Sequence, residues 1–214
     1  EAHSNLGIIL KDLGRLKEAE ISYRKAIELN PDFAEASWNL SLLELLQGDY
    51  KKGLENYEFR SKTKKPITPH GQPKIKQVDN QKLAKEKKLL IVSEQGLGDT
   101  LQFMRYVPYL RKLGFNVSFS AQTKLHRLIK ASGINSNPFT PEETSKVVEG
   151  KWIPLLSLPR YLQISPKNPI ISKPYIFSTD ELVKQWRNIL SKEKRPIVGI
   201  NWQGNPNIEN AYQG

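Results

Sequence analysis

Shifted by 34 residues, the opening of the chain falls into register with itself, and that period belongs to a helix-turn-helix repeat. Glu1, Ala2, Asn5, Leu6, Gly14, Lys17 and Tyr23 fall on Glu35, Ala36, Asn39, Leu40, Gly48, Lys51 and Tyr57, seven identities in one alignment. No other feature limits the fold as strongly, because a helical hairpin cannot bury its apolar face alone and must stack on a neighbour.

Each repeat position has a physical task. Ala2, Leu6 and Leu10 recur every four residues and predict the buried face of a first helix. Gly14 falls where that helix must stop and turn, which glycine does at low steric cost. Ala19 is small where the second helix presses on the first, and Tyr23, Ala26 and Ile27 continue the stripe. Asn30-Pro31 closes the unit, since proline disfavours helix in the residue before it. The second copy runs through Trp38, Leu40, Gly48, Tyr50, Gly53, Leu54 and Tyr57. Residues 1–60 resemble the tetratricopeptide repeat (TPR) family, whose stacked hairpins present a concave, peptide-binding face. The resemblance implies a protein or peptide partner. Such arrays usually hold three or more repeats, so more are expected before Glu1, or a cap after the second. Asn5 and Asn39 share one position on the first helix of each repeat. An amide offers both donor and acceptor, and the resemblance makes the pair a peptide-binding candidate; simple helix packing is the other reading.

The net charge of +11 raises the question of a nucleic-acid partner. Residues 1–60 hold 8 Lys/Arg and 11 Asp/Glu, residues 61–88 hold 9 and 2, and residues 89–214 hold 16 and 9. Much of the excess therefore sits in a Lys/Pro stretch, 61–88, that reads as a solvated basic linker. No aromatic residue interleaves its lysines, so a stacking platform for single strands is missing, and nucleic acid ranks last among partner classes. The absence of cysteine excludes disulfides, thiolate nucleophiles and cysteine-ligated zinc, and suits a cytoplasmic location. His3, His70 and His126 do not pair at ligand spacing, so no metal site is expected. No apolar run approaches the roughly 18 residues of a membrane span. The only methionine is Met104, and the chain opens inside a helical pattern, which predicts a piece of a longer protein.

The character changes at Lys88. Residues 88–93, Lys-Leu-Leu-Ile-Val-Ser, read as a buried parallel strand. The loop Glu94–Thr100 follows at once, and Leu101, Met104, Val107 and Leu110 predict a helix after it. Strand, glycine turn and helix open a nucleotide-binding type of unit, in which the glycines turn amides inward and the helix N-terminus favours an anion. Leu101 stands where the dinucleotide fingerprint has its third glycine, and no Gly-Lys-Ser/Thr is present. Further strands are predicted at Asn116–Ser120, Trp152–Leu156 and Pro196–Trp202, with helices at Lys124–Ala131 and Asp180–Leu190. The alternation implies a Rossmann-like parallel sheet covered on both faces, an α/β domain after the α repeats.

Four segments carry a second resemblance: Glu94-Gln95-Gly96-Leu97-Gly98-Asp99-Thr100-Leu101-Gln102-Phe103 with Arg105-Tyr106; Tyr57-Glu58-Phe59-Arg60; Pro154-Leu155-Leu156-Ser157-Leu158-Pro159; and Trp202-Gln203-Gly204-Asn205-Pro206. Together they resemble bacterial proteins that join TPR repeats to a glycosyltransferase domain, itself similar to the heptosyltransferase-like family 9 enzymes of the GT-B fold. The resemblance implies two lobes with the active site between them. Residues 89–192 would be the acceptor lobe and 193–214 the start of a truncated donor lobe, leaving an inactive fragment of a glycosyltransferase. Its substrates would be a nucleotide sugar and an acceptor hydroxyl, with no resident cofactor. Asp99 is the candidate general base, or else the cap of the helix it opens. Gln95, Gly96, Gly98 and Thr100 would line the acceptor loop, with Arg105 reaching the cleft or packing. Gly204 and Asn205 would face the donor phosphates, or form a plain strand-end turn. The four tryptophans, Trp38, Trp152, Trp186 and Trp202, read as core or interface residues before sugar platforms. The alternative function is an interaction scaffold whose α/β part is degenerate.

Overall fold

The computed structural model describes residues 1–79, 88–169 and 173–198. The chain forms two compact units, Glu1–Phe177 and Ser178–Gly214.

Helices α1 (Ala2–Asp12), α2 (Leu16–Leu29), α3 (Ala34–Leu46) and α4 (Tyr50–Tyr57) open the first unit. The turns inside both hairpins use Gly14 and Gly48 at φ of 74° and 85°, a left-handed conformation that a Cβ disfavours. A Cβ on Gly53 would stand 2.8 Å from Leu45 Cγ, so α4 can approach α3 only because that position is bare. Tyr23 lies against Gly7 in the same way, and with Leu10, Ala19, Leu40 and Leu43 it makes the core of the repeats.

The predicted face of α1 is only partly the buried one. The helix buries Ser4, Gly7 and Leu10, whereas Ala2 is exposed and Leu6 is 45% exposed. Their counterparts Ala36 and Leu40 are buried at 0% and 2%. The reason is stacking: α3 packs against α1, α2 and α4, while α1 has only α2 and α3 as its main partners among the described residues.

Two apolar positions that the first repeat buries turn into charges in the second. Leu10 is matched by Glu44 and Ala26 by Arg60, and both charged residues are buried. Helix α4 also stops after eight residues where α2 runs for fourteen, and a 3₁₀ turn, Glu58–Ser61, carries Arg60 onward.

The α/β part contains β1 (Lys88–Val92), α5 (Leu97–Phe103), α6 (Tyr106–Lys112), β2 (Asn116–Ser120), α7 (His126–Ala131), β3 (Lys151–Pro154) and α8 (Leu158–Tyr161). The three strands are parallel in the order β2-β1-β3, with Leu90 opposite Ser118 on one side and Trp152 on the other. The single helix expected after the loop is two. Pro108 has no N–H to give to the Met104 carbonyl, and Val107 donates to it instead at 3.0 Å, tightening the break. Met104, Val107 and Leu110 still share the buried face, packed on Ile91 and Phe119 of the sheet. β3 ends at Pro154, two residues before the predicted strand, and continues as a 3₁₀ turn through Ser157.

The lysines of 61–79 are exposed, but the backbone there is not a free tether. The His70 amide donates to Ser93 O at 2.9 Å, and Pro69 bridges Glu94. Farther on, Trp152 N–H donates to Lys76 O and Val78 N–H donates to Trp152 O, at 3.0 and 2.8 Å. The basic stretch thus runs across the end of β1 and along β3.

In the second unit, α9 spans Asp180–Leu190, capped by the Thr179 hydroxyl, which accepts from Leu182 N–H at 3.3 Å. The unit boundary falls after Phe177, and α9 buries none of its residues. Of the predicted strand 196–202, residues 196–198 form no strand and 199–202 lie outside the described residues. Trp38 and Trp152 are half-buried, Trp186 is 55% exposed, and Trp202 is outside the described residues.

Candidate functional site

The strand order singles out one point on the carboxyl edge of the sheet. The chain moves from β1 to β2 on one side and then to β3 on the other, so the loops after β1 and β3 part at a switch point where open α/β sheets receive ligands. Glu94 leaves β1 and Leu156–Ser157 leave β3 at this edge. A residue from the repeats fills the space between them.

That residue is Arg60, 2% exposed, facing Glu94 at 1%. Its five N–H donors all find acceptors. Nε and Nη2 donate to the two Glu94 oxygens at 3.2 and 2.7 Å, and Nη2 also donates to Ser157 Oγ at 2.9 Å. Nη1 donates to Tyr57 O at 3.1 Å and Glu58 Oε1 at 3.0 Å. Ser157 Oγ donates in turn to Glu58 Oε2, and Leu156 N–H donates to Glu94 Oε1 at 3.1 Å. Burial works against the Arg60 charge, but the hydrogen bonds and attraction of Glu94, then Glu58, outweigh it and raise its pKa. Three motifs far apart in sequence, Tyr57–Arg60, Glu94–Thr100 and Pro154–Pro159, meet in this one buried network.

The next residue, Gln95, has φ of 61°, a left-handed conformation uncommon for a non-glycine residue. Its Nε2 donates to Tyr57 Oη at 2.8 Å. Burial pushes the Tyr57 phenol up, opposed in part by that hydrogen bond. Gly96, expected to make the turn, is extended at φ −80°. Its bareness serves close approach: a Cβ there would stand 3.1 Å from Asp99 Oδ2. Gly98 has open space around it. Two residues after β2, Gln122 accepts from Thr100 Oγ1 at 2.8 Å and directs its Nε2 to the carbonyls of Gln95 and Gly96.

Asp99 Oδ2 accepts from Gly96 N–H at 2.9 Å, so the carboxylate does cap α5. An anion at this terminus would meet the Asp99 charge, and α5 has only seven residues. Gly96 and Gly98 are exposed, Gln95 and Asp99 half-buried, and Thr100 buried. Arg105 turns to a different partner: it lies 4.7 Å from the Tyr175 ring centre and donates to Tyr175 Oη at 3.0 Å. Gly204 and Asn205 lie outside the described residues. Asn5 on α1 is exposed and Asn39 on α3 half-buried.

A second polar network lies within the repeats. Buried Glu44 accepts from Arg24 Nη2 at 3.1 Å and from Asn56 Nδ2 at 2.8 Å, tying α3 to α2 and α4. Sequence reasoning missed Glu44, Arg60 and Glu94. The readable signal was the departure from the repeat: a charge standing where the other copy buries Leu10 or Ala26. Among the described residues no group of three His, Cys, Asp or Glu could hold a metal ion, and no helix is long and apolar enough to cross a membrane.

With this geometry in view, residues 1–33 match the family described as Tetratricopeptide repeat. Helices α1 and α2 are that repeat, and α3 and α4 follow the same 34-residue plan, so the chain opens with a TPR region. No curated protein and no solved structure matches the chain.

Proposed function

We propose that the chain joins a polypeptide-binding TPR region to the acceptor lobe of a bacterial glycosyltransferase. The observation that carries this reading is the placement of Glu94–Thr100 at the carboxyl edge of a parallel sheet, beside the switch point between β1 and β3. The four-segment resemblance supports it, and three of those segments converge at that edge. In this reading Asn5 and Asn39 grip a partner backbone, and the acceptor hydroxyl docks over Gln95, Gly96 and Gly98. Asp99 takes the hydroxyl proton as the oxygen attacks the anomeric carbon, and the nucleoside diphosphate of the donor departs with the bonding pair. Gly204 and Asn205 are assigned to donor binding by the resemblance alone. The nucleotide sugar is a substrate, and no resident cofactor takes part.

The engagement of Asp99 with Gly96 N–H favours a second reading, a TPR interaction scaffold whose α/β part does no chemistry. One experiment separates the two. The gene product that contains this chain is assayed for nucleotide release from a panel of nucleotide sugars, alone and with Asp99→Asn. Release that is abolished by Asp99→Asn supports transfer with Asp99 as base. Release unchanged by the substitution removes Asp99 from that role. Binding of peptides with no nucleotide sugar bound or consumed supports the scaffold.

A further inference from the structure

We propose that Arg60 is a positioning residue: the last turn of the repeats reaches into the α/β part to hold the loop after β1 in its strained conformation. The inference rests on reading Glu94–Thr100 as the functional loop. Left-handed backbone at a residue bearing a side chain persists only where its surroundings over-determine it. Here Gln95 at φ 61° lies between fixed neighbours. Glu94, before it, is gripped by two Arg60 donors and by Leu156 N–H. Gly96, after it, is fixed through the Asp99 carboxylate. The Gln95 side chain itself is tied to Tyr57 Oη, three residues from Arg60.

Part of the clamp therefore comes from outside the α/β sequence. Both residues that hold positions 94 and 95 from the repeat side, Arg60 and Tyr57, belong to the end of α4 and the turn after it. Glu58 and Ser157 complete the grip by accepting from the guanidinium at 3.0 and 2.9 Å. Without Arg60, Glu94 loses both of its guanidinium donors in a site with almost no access to water. The carboxylate is then held by Leu156 N–H alone, and Gln95 relaxes towards ordinary backbone angles.

Amide hydrogen exchange of the intact chain tests this without any substrate, so its outcome is independent of whether sugar transfer is found. Four proteins are compared: the parent, Arg60→Met, Gln95→Gly, and both together. Glycine adopts the left-handed conformation freely, so Gln95→Gly removes the strain that the clamp opposes. Arg60→Met should speed exchange at Gly96 and Thr100 by about tenfold or more. In the Gln95→Gly background the same substitution should speed it by less than about threefold. Equal acceleration in both backgrounds would show that Arg60 merely links the two regions, and no acceleration in either would show that it holds nothing; each overturns the proposal. Should Arg60→Met fail to fold, Glu94→Gln replaces it, since it keeps the shape of the side chain and leaves Glu58 opposite Arg60. The same dependence on Gln95 is expected of Glu94→Gln, and its absence is equally damaging.

Discussion

Replacing Arg60 by Met should cost the first unit far more than a surface ion pair would. The guanidinium makes five hydrogen bonds at 2.7 to 3.2 Å and is 2% exposed, opposite a carboxylate at 1%. Met fills much of the same volume but leaves Glu94 with Leu156 N–H as its remaining donor. Removing one partner of a buried pair costs about 3–5 kcal/mol, because the other charge stays desolvated and uncompensated. For a domain of this size, each kcal/mol lowers Tm by about 2–4 °C, so the expected drop is roughly 6–20 °C. Urea titration followed by tryptophan fluorescence and far-ultraviolet circular dichroism measures the free energy. Glu94→Leu alone should lose a comparable amount, while the double variant Arg60→Met/Glu94→Leu should lie within about 2 kcal/mol of the parent, since an apolar pair of similar volume needs no compensation. The cycle then yields a coupling of at least about 4 kcal/mol. A loss below about 1 kcal/mol for Arg60→Met, the worth of an exposed pair, would refute the claim that this network holds the repeats and the α/β part together.

Gly48→Ala should destabilise the repeats by about 1–2 kcal/mol, and Gly14→Ala by a similar amount, because both residues turn the chain at positive φ without any steric contact to relieve. Thermal melts of the two variants check this, and unchanged melting would contradict the left-handed turns. Gly53→Val should cost about 1–3 kcal/mol by forcing α4 away from Leu45 and the Leu45 backbone, again read by urea titration. Burial raises the phenol pKa of Tyr23, Tyr57, Tyr106 and Tyr161 above 10.0. The fold therefore favours the protonated form, and its contribution to stability is complete below pH about 10 and is lost as the pH climbs through the raised values. Absorbance at about 295 nm, recorded with melts across this range, should show late tyrosinate formation and falling Tm; phenols that all titrate at the free value in the folded chain would contradict their burial.

What the sequence by itself determined is local. The 34-residue period marked both hairpins, because each turn, small contact and closing proline is set by residues within one repeat. Asn116–Ser120 was readable as a strand to the residue, since a short alternating run bounded by turn residues has few other conformations. Pairing across the chain was decided by the tertiary structure alone. Leu6 and Leu40 occupy one repeat position, yet only the second is buried, because burial depends on which helix stacks above. Arg60 reads as a surface charge after a helix until β1 and β3 are placed side by side; then its guanidinium pairs with both oxygens of Glu94. The glycines of the loop suggested the turn, but the left-handed residue is Gln95, held there by Tyr57 and Arg60 from another part of the chain. Neighbours in sequence prescribe backbone angles and periodicity. Whether a charge is compensated, and whether strain can be held, depends on partners that only folding brings into hydrogen-bonding contact.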